Sequence, residues 1–131
     1  MLTGRCACTA VAYEIPDELV AAYICHCSNC RALTGSAFLP WGDIEREKLR
    51  VTKGAESLLV DGDPDTAYAV RCAKCFSLLY WTPRDGYFRV PYGTLVDEPT
   101  LKPTAHMFVG SKASWYEIQD DLPQHDGYPW S

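Results

Sequence analysis

The spacing of the cysteines constrains this chain more than any other feature of its sequence. The chain has 131 residues, seven of them cysteine. The cysteines fall into three clusters with C-x-C or C-x-x-C spacing, namely Cys6/Cys8, Cys25/Cys27/Cys30 and Cys72/Cys75. In extended chain, residues two apart point to the same side, so each C-x-C pair presents two thiols on one face. An odd number of cysteines excludes a complete set of internal disulfides, and the spacing favours metal ligands or catalytic groups.

The three clusters divide naturally into two zinc sites. Structural zinc takes four ligands, whereas catalytic zinc takes three protein ligands and leaves one position open. We call Cys6, Cys8, Cys72 and Cys75 the four-cysteine group, and we interpret it as a structural site. We call Cys25, Cys27 and Cys30 the three-cysteine group, and we interpret it as a site with an open position. Other pairings exceed four ligands or leave a cysteine without a partner.

Two other uses of these cysteines remain open from the residues alone. A C-x-x-C pair is also found in thioredoxin-like redox proteins. No βαβ pattern surrounds Cys72, which disfavours that interpretation. Free cysteines can also be inert members of an apolar core.

Composition and charge limit the partners that we expect. Hydrophobic residues make up 47% and charged residues 22% of the chain, which is typical of a globular protein, so we expect one domain over residues 1–131. The formal net charge is −5, and the sequence has no run of Lys or Arg, which disfavours nucleic-acid or membrane partners. The sequence shows neither a secretory signal nor a membrane span, so we expect a soluble cytoplasmic protein. It does not indicate the oligomeric state.

The local patterns predict a mainly β fold built from antiparallel strands. Short apolar or alternating runs separated by turn residues predict strands at 11–15, 19–24, 37–41, 49–52, 57–60, 67–71, 78–82, 87–90 and 106–109. Residues 44–48 are predicted to form a helical turn, residues 83–86 a turn, and residues 120–131 a surface tail. One short helix is predicted over Ser28–Thr34, with Ser28 as its N-cap and Gly35 as its stop.

At the cysteine motifs, the chain resembles the glutathione-dependent formaldehyde-activating enzymes, which are grouped with centromere protein V. The motifs that carry the resemblance are Gly4-Arg5-Cys6-Ala7-Cys8, Cys25-His26-Cys27-Ser28-Asn29-Cys30-Arg31 with Gly35 and Phe38, Cys72-Ala73-Lys74-Cys75, Gly93-Thr94-Leu95-Val96-Asp97 and residues 106–115. The resemblance implies a zinc-stapled β-tent fold with zinc at both groups. It also implies a carbon–sulfur lyase activity, the reversible addition of glutathione to formaldehyde that gives S-hydroxymethylglutathione.

The chain departs from this family at two positions. The family usually has glycine after the second cysteine of each pair, where this chain has Thr9 and Phe76. Glycine adopts a positive φ without strain, whereas phenylalanine does so only at a cost. We therefore expect any irregularity of the structural site at these two positions.

The three-cysteine group suits the delivery of a thiolate to an aldehyde. Zinc with three thiolates carries one net negative charge, which weakens it for activating water but suits the binding of an incoming thiol. Cys25, Cys27 and Cys30 are thus the candidate catalytic ligands, with Arg31 and His26 as candidate residues for binding glutathione. We expect His26 to point away from the metal and to be partly exposed, with proton transfer as its alternative role.

The other histidines and the aromatic residues have simpler interpretations. We expect His106 to be a core histidine and His125 to be solvated. Trp41, Phe38 and Trp115 are either core residues or part of a pocket wall. We favour the core interpretation, because aromatic residues in short strands are more often buried in the core.

A rival hypothesis makes the chain a binding module. Both zinc ions would then be structural, and an exposed face would bind a protein. A nucleic-acid or cytoskeletal binder like centromere protein V fits poorly with the net charge of −5.

Overall fold

The fold is mainly β, as the sequence predicts. The computed structural model describes residues 1–84 and 86–130, so Asp85 in the predicted turn and Ser131 in the predicted tail lie outside the described residues. The described part of the chain has ten strands, one α helix and four short 3-10 turns. The strands are β1 (Leu2–Arg5), β2 (Ala12–Ile15), β3 (Ala21–Cys25), β4 (Leu39–Glu45), β5 (Arg50–Lys53), β6 (Leu58–Gly62), β7 (Tyr68–Cys72), β8 (Leu78–Trp81), β9 (Tyr87–Pro91) and β10 (His106–Met107).

The smaller sheet has three antiparallel strands in the order β1-β2-β5. Gly4 on β1 lies opposite Tyr13 on β2. A Cβ atom on Gly4 would lie 2.1 Å from the ring of Tyr13, so only glycine fits there. The Tyr13 hydroxyl lies 2.7 Å from the Thr94 hydroxyl, which joins this sheet to the turn after β9.

The larger sheet has seven strands in the order β10-β3-β4-β9-β8-β7-β6. Its pairs are antiparallel except β10 with β3, which is parallel. Its register places Asp43 on β4 opposite Arg89 on β9, and Arg89 opposite Trp81 on β8. Residues that are far apart in the sequence therefore become neighbours at the centre of the sheet.

The helix α1 (Ser28–Thr34) has the predicted bounds, but its N-cap differs from the prediction. The cap is Cys27, whose Sγ accepts a hydrogen bond from the Cys30 backbone N–H at 3.2 Å. Gly35 ends the helix with φ 63°, and its N–H donates to the Arg31 carbonyl oxygen. The helix therefore begins on a residue of the three-cysteine group rather than on Ser28.

Buried side chains form two clusters, and each contains cysteines. The larger cluster is centred on residues such as Tyr13, Ile44 and Leu79, and it includes Cys6 and Cys72. The smaller cluster consists of Cys25, Leu39, Trp41 and Met107. Each cysteine group thus lies against its own part of the core.

The predicted strands agree with the structure, with differences at their ends. Each of the predicted strands overlaps an observed strand, whereas β1 was not predicted. The predicted helical turn at 44–48 is partly wrong, because β4 continues to Glu45 and the 3-10 turn covers Arg46–Lys48. No helix in residues 1–84 and 86–130 is long and apolar enough to cross a membrane.

Candidate metal centres and active site

The fold gathers the seven cysteines into two separate clusters with the predicted membership. The sulfurs of the four-cysteine group lie within 4.8 Å of one another, and so do those of the three-cysteine group. All seven are free thiols. Sulfur atoms at these distances are compatible with zinc at both places.

The four-cysteine group lies where the two sheets approach each other. Cys6 and Cys8 follow β1 of the smaller sheet, whereas Cys72 ends β7 of the larger sheet. Cys8 Sγ lies 3.7 Å from Cys6 Sγ and 3.7 Å from Cys72 Sγ. Four thiolates at about 2.3 Å from a tetrahedral zinc lie ~3.8 Å apart. The spacing therefore fits a closed Cys₄ zinc site.

The backbone around this group has positive φ angles at the two positions where glycine was expected. Thr9 has φ 68° and Phe76 has φ 62°. These angles let the Thr9 N–H donate to the Cys6 carbonyl oxygen at 3.2 Å and the Phe76 N–H donate to the Cys72 carbonyl oxygen at 2.8 Å. Both turns thus have the left-handed conformation that glycine would adopt freely, and Thr9 and Phe76 are strained in it.

The three-cysteine group is built by the end of one strand and the start of the helix. Cys25 ends β3 and is buried, Cys27 caps α1, and Cys30 lies in the first turn of α1; the last two are half-buried. A hydrogen bond from Cys30, backbone and side-chain bonds from Cys27, and the charge of Arg89 together lower the pKa of the Cys25 thiol to about 6. The same hydrogen bond and burial raise the pKa of Cys30. The group therefore already favours a thiolate at Cys25.

The three-cysteine group opens into a cavity of about 370 Å³. Small-molecule sites usually measure roughly 300–1,000 Å³. Its walls combine the three cysteines with polar, aromatic and apolar side chains: Ser28, Asn29, Trp41, Trp81, Arg89, Met107, Phe108, Ser111 and Tyr128. A larger cavity of about 510 Å³ lies beside Cys6, where the thiols already form a closed set of four. The cavity beside the three-cysteine group is therefore the candidate active site.

The position of Arg89 in the cavity wall is fixed by contacts with Asp43 and Trp41. Its Nε donates to Asp43 Oδ1 at 2.7 Å, and its Nη2 donates to Asp43 Oδ2 at 3.0 Å. Its guanidinium carbon lies 3.3 Å from the centroid of the Trp41 ring. Asp43 is 2% exposed, so this is a buried ion pair in the wall of the site.

His26 is fully buried, so the expectation that it is partly exposed is wrong. Its Nε2 lies 2.8 Å from His106 Nδ1, and His106 Nε2 lies 3.0 Å from both carboxylate oxygens of Asp120. Burial, followed by the charge of His106, lowers the pKa of His26 to about 4, so its ring is neutral. His26 is not among the residues that line the cavity, and the predicted contact with glutathione gains no support from its position.

Arg31 and two of the three candidate aromatic residues also lie away from the cavity wall. The Arg31 Nη2 donates to the Ser111 carbonyl oxygen at 3.2 Å. Phe38 packs against the rings of His26 and Tyr116. Trp115 is 70% exposed, whereas Trp41 is both buried and part of the cavity wall. His106 is buried, as expected.

Sequence reasoning missed most of the cavity wall, including Trp81, Arg89, Phe108 and Tyr128. These residues come from β8, β9 and the segments after β10, far from the cysteine motifs. One signal was available, because Asp43 and Arg89 each interrupt an apolar strand. A charge within a buried strand indicates a buried partner.

The comparisons with known proteins agree with the fold and with the motifs. The chain is similar to a protein from Rhodobacter sphaeroides whose crystal structure is known, with 27% sequence identity and a TM-score of 0.59. The match covers 73% of this chain and 89% of that one. No curated protein matches the chain. The sequence profile of the glutathione-dependent formaldehyde-activating enzymes matches residues 1–111, which include all seven cysteines. The predicted resemblance is confirmed, and the chain belongs to the glutathione-dependent formaldehyde-activating enzyme family.

Proposed function

We propose that the chain is an enzyme that joins the thiolate of glutathione to a small aldehyde such as formaldehyde, giving S-hydroxymethylglutathione. The observation that carries the proposal is the convergence of Cys25, Cys27 and Cys30 in one cavity. Among the described residues, no further Cys, His, Asp or Glu joins this group. Three protein ligands leave one position for a thiol. Membership of a formaldehyde-activating family supports the choice of substrates.

The roles proposed for the protein groups follow from their places in the cavity. Cys25, Cys27 and Cys30 would hold zinc, which when bound would stabilise an incoming thiol as thiolate. The aromatic side chains Trp41, Trp81 and Phe108 would restrict water around the thiolate and the aldehyde. The four-cysteine group would hold a second, structural zinc.

The bond changes of the proposed step balance without an oxidant or a reductant. The thiolate sulfur forms a bond to the aldehyde carbon, and the carbonyl π pair moves to oxygen. That oxygen then takes a proton, which replaces the one lost by the thiol. The reverse reaction would break the carbon–sulfur bond, and this assigns the enzyme to the carbon–sulfur lyases. A cytoplasmic location would supply the reduced glutathione that the step requires.

Cobalt spectroscopy tests whether glutathione binds through sulfur. Cobalt at the three-cysteine group gives a visible thiolate-to-metal band, and glutathione is expected to change it as a fourth sulfur binds. S-methylglutathione is the matched control, because it lacks a free thiol and should change the band far less. A spectrum that does not respond to glutathione would favour the rival hypothesis of a binding module.

A turnover assay tests whether formaldehyde is the aldehyde substrate. The zinc-loaded protein is expected to accelerate formation of S-hydroxymethylglutathione from formaldehyde, and Cys27→Ser should abolish this acceleration. The variant removes one thiolate of the three-cysteine group and leaves the four-cysteine group intact. Sulfur coordination without formaldehyde turnover would keep thiol binding and reject this aldehyde.

A further inference from the structure

Arg89 in the cavity wall keeps hydrogen-bond donors that Asp43 does not use. A guanidinium group has five N–H donors. Asp43 accepts from Nε and from Nη2, which leaves two donors on Nη1 and one on Nη2. Within residues 1–84 and 86–130, Nη1 donates to no protein group, and it is not fully buried. Nη1 therefore retains some exposure on a side chain that is 13% exposed, and Arg89 belongs to the cavity wall.

The surroundings of Arg89 fix the direction of its Nη1/Nη2 edge. The bidentate contact with Asp43 holds one edge of the guanidinium, and the Trp41 ring covers one face. Asp43 lies opposite Arg89 in the β4/β9 register, so the sheet backbone sets the pair. A guanidinium that is already ordered loses little entropy when it binds a second planar anion. Two parallel N–H groups on one edge match the two oxygens of a carboxylate.

The negative charge of the site explains why an acidic thiol would need a hydrogen-bond donor such as Arg89. Three thiolates with one zinc carry a net charge of −1, and Asp43 neutralises Arg89. An acidic thiol that approaches such a site is repelled unless its carboxylate accepts hydrogen bonds from a nearby donor. Arg31, the residue predicted for this contact, donates to Ser111 and does not line the cavity.

We propose that Arg89 binds a carboxylate of the thiol substrate, so that the site selects acidic thiols over neutral thiols of the same size. The inference rests on the proposed function, because it requires the thiol sulfur to bind at the three-cysteine group. It adds the residue that recognises the thiol, and it places the recognised carboxylate at the β4/β9 centre of the sheet rather than at the helix.

The test compares two thiols that differ only in the anionic group. Binding of 3-mercaptopropionate and of 3-mercaptopropan-1-ol to the cobalt-substituted protein is measured from the thiolate-to-metal band. In the unaltered protein the acid is expected to bind at least about tenfold more tightly, the usual effect of a charge-assisted hydrogen bond. The double variant Asp43→Asn/Arg89→Gln should bind both thiols about equally, and the readout is the ratio of the two affinities within each protein. This variant keeps the net charge of the chain and leaves no unpaired buried charge.

Each outcome has a distinct meaning. No response to either thiol overturns the proposed function, whereas equal affinities in the unaltered protein overturn only the inference. An acid preference that survives in the double variant also overturns the inference. If the double variant does not fold, nitrogen NMR of the unaltered protein replaces it. The Arg89 side-chain resonance should then shift with the acid and not with the alcohol, and an unshifted resonance overturns the inference.

Discussion

Two residues beside the four-cysteine group hold backbone angles that L-amino acids seldom adopt. Thr9 and Phe76 have φ angles of 68° and 62°. Left-handed backbone costs a residue with a Cβ roughly 1–2 kcal/mol, whereas glycine adopts it freely. The cysteines before them must face a common point, and the turn that achieves this requires the left-handed angle. The geometry of the four-cysteine group therefore imposes a positive φ on Thr9 and Phe76, although neither residue type favours it.

Phe76→Gly is expected to stabilise the zinc-loaded protein by about 0.5–1 kcal/mol, the relief of strain less the added freedom of glycine in the unfolded chain. The loss of the ring contributes little, because Phe76 is 61% exposed. The measurement is the free energy of unfolding in urea. Phe76→Ala is the control, since it removes the ring but keeps the Cβ and should give no such gain. Equal stabilisation by both variants would trace the effect to the exposed ring instead of the backbone.

At the scale of the elements, local patterns predicted the helix and most strands, because those signals lie within the elements themselves. The helix bounds Ser28–Thr34 follow from a polar start and a terminal glycine. The N-cap could not be predicted so simply, since the Cys27 sulfur competes with the Ser28 hydroxyl for that role. β1 was missed because it has only four residues and contains Gly4, and its strand geometry comes from pairing with β2.

The candidate site likewise has a part that local sequence patterns predict and a part that they do not. The two cysteine groups could be predicted because ligand spacing within each motif is local and the ligand number of zinc limits how motifs combine. The remaining walls of the cavity depend on strand order, since β4, β9 and β8 bring Trp41, Arg89 and Trp81 together only after folding. Sequence spacing carries no information on such an order.

The cap of α1 leads to a prediction about Cys27. Cys27→Ser should keep the helix, because a serine oxygen also accepts from the Cys30 N–H, but it should lose the metal of the three-cysteine group. Cys27→Ala should lose the metal and also about 1 kcal/mol of stability, since no cap remains. Elemental analysis gives the zinc content, and urea unfolding gives the stability. Equal stability of the two variants would show that the cap contributes nothing.

At the scale of the whole molecule, the segment after residue 111 completes the site although the family profile stops there. Backbone bonds attach it beside β10, where the His106 N–H donates to the Pro123 carbonyl oxygen at 2.8 Å and the Phe108 N–H donates to the Gly127 carbonyl oxygen at 3.0 Å. Tyr128 then forms part of the cavity wall. Part of the cavity wall therefore comes from outside the range that the family profile matches.

The four-cysteine group connects the two sheets. We therefore expect it to contribute more to the stability of the fold than the three-cysteine group does. Cys6 and Cys8 follow a strand of one sheet, and Cys72 ends a strand of the other. The three-cysteine group, by contrast, spans only the end of β3 and the start of α1. Purified protein is accordingly expected to hold one zinc tightly and a second zinc less tightly, because three ligands bind more weakly than four. Zinc content during dialysis against a chelator of graded strength measures the two affinities.

Cys72→Ser is expected to unfold the chain or to destabilise it strongly at neutral pH. Structural zinc contributes about 10–16 kcal/mol of apparent binding free energy, which is as large as the ~5–15 kcal/mol that holds a typical domain together. Cys72 is fully buried and lies in the larger core cluster, so a serine there also leaves a hydroxyl among apolar side chains. Cys27→Ser is the matched control at the other centre, where loss of the metal should lower the melting temperature far less. Thermal unfolding with and without added zinc measures both variants. Equal destabilisation would mean that the division into a structural and an open site is wrong, because each centre would then support the fold to the same degree.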